Sequence, residues 1–273
     1  MVDEKTAEED GSFNPLGPYS QDIMPLLERN PNSALIGSVG RLNDYPLFMV
    51  RAGYGPKVLL TAGIHGAEPA GVYALTQFIR ERMDQYAESL DLTILPCVNP
   101  WGFDRNLEEI NGHGININRE FRHDTHSYEN KIIMSLLGHY VLTMDLHETG
   151  RTTEGVAKGE PVHSPEDFFL WEICPDKDLR FGQEIASAVR ALGMPMHDGP
   201  NVYEDVSVGG VITYPEGCGT ADYAAGTAFD TYLAAHRTPQ AFTIETPARL
   251  PLELRVKAGL TSIEIALEHA RHR

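Results

Sequence analysis

The chain of 273 residues has little cysteine, a shortage of positive charge and no long apolar run, and each lack removes a class of protein. Nothing approaches the roughly 18 consecutive apolar residues that a membrane-spanning helix needs. Residues 1–9 are acidic where a secretory leader is basic and then apolar, so a cytoplasmic chain is expected. Cys97, Cys174 and Cys218 are too few and too far apart for a disulfide scaffold or a zinc ribbon, and read as reduced core thiols. With 22 Lys and Arg against 39 Asp and Glu, the net charge of −17 gives no basis for holding a nucleic acid or an anionic membrane. Neither partner is expected. A hydrophobic fraction of 42% still builds a sizeable core, which leaves a globular protein acting on a small molecule or a peptide.

What is present is an alternation of strand-like and helix-like segments. Residues 1–12 read as an acidic tail, and residues 13–273 as one domain. After a short helix over 20–30, strand character appears at 34–39, 46–51 and 57–64, the first pair forming an antiparallel hairpin. Pro69 then opens a helix whose Val72, Leu75, Phe78 and Ile79 recur at helical spacing. A buried strand at 92–98 leads into an irregular segment over 99–125, and loops of that length in a compact domain are usually functional. Helices are expected at 132–137, 178–192, 220–235 and 252–272, and strands at 141–146, 210–213 and 241–244. The sum is a single α/β domain, a mixed, mostly parallel twisted sheet with helices on both faces. In such sheets ligands collect beyond the carboxyl ends of the strands.

Four of those ends carry polar groups. His65 and Glu68 follow the strand ending at Ile64, Asn118 and Arg119 lie in the long loop after Val98, His147 follows Leu146, and Glu245 follows Ile244. Two imidazoles and a carboxylate can make an open three-ligand zinc site, and a further unbound carboxylate can take a proton from water there. His-x-x-Glu alone is weak: the chain has three, at His65–Glu68, His126–Glu129 and His163–Glu166. Only the first follows an apolar strand. Singly, His147 and Glu245 could be satisfied strand-end groups and Arg119 a surface charge; their coincidence at strand ends is what points to a site.

In order along the chain, Gly63-Ile-His-Gly-Ala-Glu68, Asn99-Pro-Trp-Gly102 leading to Asn118-Arg119-Glu-Phe121, Asp145-Leu-His147, the loop Tyr214 to Asp222, and Phe242-Thr-Ile-Glu245 resemble the zinc carboxypeptidase superfamily. The resemblance implies one Zn2+ per chain held by His65, Glu68 and His147, with Glu245 as general base. It implies further that Asn118 and Arg119 hold a substrate carboxylate, that Tyr214 closes over it and that Ala221 lines a small, neutral side-chain pocket. A planar guanidinium suits that carboxylate as a lysine does not.

Two positions depart from the pattern. Glu109 stands where compact members carry an arginine that stabilises the oxyanion, which makes Arg105, in the same loop, the candidate replacement; Asn116 stands in place of an aspartate. Only 28 residues (273 minus 245) follow Glu245, too few for the β-rich second domain of the related succinylglutamate desuccinylase/aspartoacylase branch. The resemblance therefore implies a carboxypeptidase-like hydrolase cutting an amide next to a free carboxylate in a short peptide. An N-acyl amino acid amidohydrolase and a murein-peptide amidase are the alternatives within the superfamily. Glu109 also motivates a metal-containing binding protein with impaired catalysis.

Overall fold

The computed structural model describes residues 17–107, 109–150, 165–215 and 227–273, so the acidic tail expected over 1–12, and also Cys218, Ala221 and His163, lie outside the described residues. Apolar strands assemble into a ten-stranded sheet in the order β1-β2-β4-β3-β5-β10-β6-β9-β8-β7. These are β1 (Ser33–Val39), β2 (Tyr45–Gly53), β3 (Lys57–Ala62), β4 (Asp91–Leu95), β5 (Leu142–Thr149), β6 (Phe169–Ile173), β7 (Asn201–Val202), β8 (Asp205–Val208), β9 (Val211–Tyr214) and β10 (Ala241–Pro247). The hairpin expected between β1 and β2 is there.

Parallel pairing is concentrated at the centre, where β4, β3, β5 and β10 run the same way. Both flanks mix in antiparallel pairs, β1–β2 and β2–β4 on one side, β10–β6, β9–β8 and β8–β7 on the other. The sheet is thus mixed, as expected, with its parallel character at the middle rather than throughout. β6, β7 and β8 have no counterpart among the expected strands. β6 has five residues, four of them apolar with Glu172 among them, too short for periodicity to separate from a buried helical turn, and β7 has only two residues.

Around the sheet lie α1 (Met24–Arg29), α2 (Pro69–Glu81), α3 (Met83–Ala87), α4 (Pro100–Arg105), α5 (Tyr128–Leu136), α6 (Gly182–Ala191), α7 (Phe229–His236) and α8 (Leu252–Ala270). The segment read as irregular starts with a regular turn. Pro100 sits at the first position of α4, the Asn99 side chain accepts from the Gly102 N–H at 2.9 Å, and Asn106 ends the turn in the left-handed region.

Strand alternation decides which side chains meet which helices. Met144, Leu146, Phe242 and Ile244 face the layer of α2 and α8. There Gly71 lets α2 come so close that a Cβ would lie 2.7 Å from that of Leu146. Thr61, Asp145, His147, Thr243 and Glu245 leave the opposite face, where Asp230 of α7 accepts from the Thr243 hydroxyl at 2.9 Å. The centre of the sheet therefore has one apolar face and one carrying a buried polar stripe.

Candidate metal centre

The stripe runs toward the carboxyl ends of β3, β5 and β10. Beyond β3 the chain turns at Gly63, whose φ is +69°, and enters the short loop that carries His65 and Glu68. The glycine after the histidine has a different purpose from the tight turn that its position suggests. Gly66 packs on the backbone of α4, where a Cβ would lie 2.2 Å from the Gly102 carbonyl carbon.

His65, Glu68 and His147 come together. The Nδ1 atoms of the two histidines lie 2.8 Å from Glu68 Oε1 and 2.9 Å from Glu68 Oε2, and their rings are 4.9 Å apart between centroids. One ligand atom from each residue falls within 4.8 Å of the others. Beneath them Asp145 Oδ2 lies 2.9 Å from His147 Nε2, and Thr61 donates to Asp145 Oδ1 at 2.7 Å. The Glu148 N–H donates to Glu68 Oε2 at 3.1 Å.

A dication fits this arrangement. With Asp145 accepting the Nε2 proton of His147, the Nδ1 atom faces a carboxylate oxygen at 2.9 Å, a contact that either a proton on Nδ1 or a metal cation between the two can join. His65 Nε2 is buried with no hydrogen-bond partner among the described residues, so that ring is fixed by its Nδ1 side. The donor set, two imidazoles and one carboxylate, is that of hydrolytic zinc sites with an open position.

Electrostatics agree. Burial opposes ionisation of Glu68, yet the charges of His65 and His147 prevail and hold it well below the usual carboxylate range. Burial likewise opposes the charged form of His147, and Asp145 with Glu68 outweighs it, raising that imidazole well above its ordinary value. Glu245 is pushed well above the carboxylate range, first by burial and, against the pull of His147, by the nearby carboxylates of Glu68, Asp145 and Glu148. So many buried acids around two imidazoles form a site short of positive charge.

Other expected residues are placed differently. Glu245 stands opposite His147 in the β5–β10 ladder, on the same face. Asn118 follows the first residue of a single 3₁₀ turn at 117–119, and its Oδ1 accepts from the Phe229 N–H at 2.9 Å, which leaves its amide N–H groups as donors. Arg119 is exposed and donates to the Asn118 carbonyl at 3.0 Å. The Phe121 and Phe229 rings stack at 4.1 Å and tie this loop to α7.

The described residues do not bring Arg105 or Tyr214 to the cluster. Arg105 donates to the Tyr45 hydroxyl at 2.6 Å, with its guanidinium 4.7 Å from the Trp101 ring. Tyr214 is buried and its hydroxyl donates to Asp205 at 2.5 Å. Through Ile173 it is level with Ala241, four residues before Glu245, or about 13 Å along the strands. Glu109, with φ +29°, accepts from the Asn116 side chain at 3.4 Å. Sequence reasoning gives no role to Asp145, Glu148 or Arg255; for the first two, charged residues inside β5, a wholly buried strand, are the available signal, and for Arg255 in α8 there is none.

Comparison with known proteins fits this picture. Residues 54–168 match the family model of the succinylglutamate desuccinylase/aspartoacylase catalytic domain. Curated proteins contain no match to the sequence. Among solved structures, a candidate metallopeptidase from Shewanella denitrificans superposes with a TM-score of 0.70 at 21% identity, covering 90% of this chain and 86% of that one. A candidate metallopeptidase from Shewanella amazonensis gives 0.67 at 23% identity, covering 85% and 84%. Carboxypeptidase A from Helicoverpa armigera gives 0.59 at 16% identity, covering 91% and 71%. The chain thus has a carboxypeptidase-like hydrolase fold, and its residues 54–168 resemble the succinylglutamate desuccinylase/aspartoacylase catalytic domain.

Proposed function

We propose that the protein is a zinc-dependent hydrolase that cleaves an amide bond next to a free carboxylate, in a short peptide or an acylated amino acid. The observation carrying this is the convergence of His65, Glu68 and His147 beside Glu245 at the carboxyl edge of the sheet. His65, Glu68 and His147 would hold Zn2+, which when bound supplies the Lewis acidity that polarises a carbonyl and brings the pKa of water to about 7. Glu245 accepts the proton of the attacking water on its carboxylate and returns it to the leaving amine. Asp145 holds His147 Nε2 and so fixes the ring. Arg119 and the Asn118 amide bind the substrate carboxylate and set which amide bond reaches the site. Residues 13–273 act as one catalytic domain.

The structural relatives are named as peptidases and the family model belongs to the acyl amino acid branch, so substrate class is decided by assay. A panel of dipeptides with free or amidated carboxyl ends, N-acyl amino acids and murein peptides, each with Zn2+ present, tests the proposal. Hydrolysis confined to substrates with a free carboxylate supports it; cleavage indifferent to that group refutes it. One specific observation favours a second reading, a binding protein with impaired catalysis. Glu109 stands where a cationic oxyanion partner is expected, and Arg105 is engaged with Tyr45. Tight binding across the panel without turnover selects it.

A further inference from the structure

We propose that Arg255 of α8 is a positioning residue for the metal centre, acting through Glu148 on the amino end of α2 and on the Glu68 carboxylate. This rests on His65, Glu68 and His147 being metal ligands. Alternation along β5 sends His147 to one face of the sheet and Glu148 to the other, among the helices. There the Glu148 carboxylate is fully buried; its Oε1 accepts from the Ala70 N–H at 3.2 Å and from Arg255 Nη1, and the Arg255 Nε–H donates to the Leu250 carbonyl at 2.9 Å.

The arrangement divides two tasks that one side chain cannot perform together. Glu68 occupies the cap position of α2, yet makes no cap bond, because both its oxygens face histidines. The first-turn N–H groups of a helix have no partner within the helix, and Ala70 is the second residue of α2. Glu148 takes over the cap from β5, on the helix face of the sheet, while its own backbone N–H holds Glu68 Oε2. One residue thus touches the ligand loop at two points.

That solution puts another carboxylate beside Glu68, Asp145 and Glu245, and a buried carboxylate without a counter-charge is unfavourable. Arg255 provides the counter-charge. Its fork reaches Glu148 with one nitrogen and the Leu250 carbonyl with another, a geometry that a lysine does not reproduce. A helix more than a hundred residues from His147 in sequence therefore sets the orientation of a ligand.

The test measures Co2+ affinity of the metal-free full-length chain by competition with a chelator, alongside its melting temperature, in wild type, Arg255→Lys, Arg255→Met and the double variant Glu148→Gln/Arg255→Met. Partners of metal ligands typically change affinity about 10- to 100-fold, and a loss of that size is expected in both single variants. The double variant removes the stranded charge but keeps a carbonyl oxygen for the Ala70 N–H, and recovers most of the loss even if Arg255→Met folds poorly. Co2+ affinity within about twofold of wild type in both Arg255→Lys and Arg255→Met, with only the melting temperature lowered, makes Arg255 an anchor of α8 alone and overturns the inference. A wild-type chain that takes up no Co2+ overturns the metal reading itself, an outcome distinct from unequal variants.

Discussion

Glu245 stands opposite His147 in the parallel ladder of β5 and β10, so the two side chains leave the same face of the sheet from neighbouring strands about 4.8 Å apart. A base in that position can reach water beside a ligand without being a ligand. Glu245→Gln is therefore expected to keep the metal and lose about 10²- to 10⁴-fold in kcat, the usual worth of general base catalysis. Metal content and single-turnover hydrolysis of the best panel substrate check it. A variant that hydrolyses normally removes Glu245 from the mechanism.

Asp145 fixes His147 from behind, with 2.9 Å from Oδ2 to Nε2 and its other oxygen accepting from Thr61. Asp145→Asn preserves shape but not charge, and can offer His147 Nε2 an amide donor in place of an acceptor. The expected result is metal affinity lower by about 10- to 100-fold. Equal affinity shows that the ring is oriented by its other contacts.

Much of the centre was legible because strand ends are legible. The apolar run into His65, the buried strand before His147 and the short strand before Glu245 each announce where a side chain leaves the sheet, and the order of motifs did the rest. Asp145 and Glu148 were harder. A charged residue in a strand is ordinarily a solvated one, and only the register shows that β5 is covered on both faces. Arg255 was invisible, since its partner lies 107 residues away and an amphipathic helix gives no reason to single out one arginine. On the far flank only β9 was legible, as the strand expected at 210–213; β6, β7 and β8 were missed because short strands carry no period, and the mixed sheet that was expected keeps its parallel pairs mainly at the centre.

Arg119 is exposed and donates to the Asn118 carbonyl at 3.0 Å. Charged hydrogen bonds are worth about 1.5–3 kcal/mol, so Arg119→Ala is expected to lower kcat/KM about 10- to 100-fold for substrates with a free carboxylate. Amidated analogues should be affected little. Equal losses for both kinds of substrate place the carboxylate elsewhere.

Away from the centre, Glu172 gives a dependence on pH. Burial raises its pKa, against hydrogen bonds from the Phe181 N–H, the Gln240 side chain and the Gly182 N–H. A carboxyl whose folded pKa is raised favours the protonated fold. Its contribution is complete below the unfolded value near 4.5 and is lost as pH climbs through the raised one. The stability of wild type relative to Glu172→Gln should therefore fall as the pH rises above about 4.5, measured by urea unfolding. A relative stability that grows over that range gives the shift the opposite sign.

The most direct measurement is metal stoichiometry against hydrolysis in one preparation. Purified without chelator, the chain is expected to hold about one zinc, lose it in His65→Ala, lose activity with it and regain both in wild type on adding Zn2+. A metal-free chain that hydrolyses its substrate at the same rate would contradict the account.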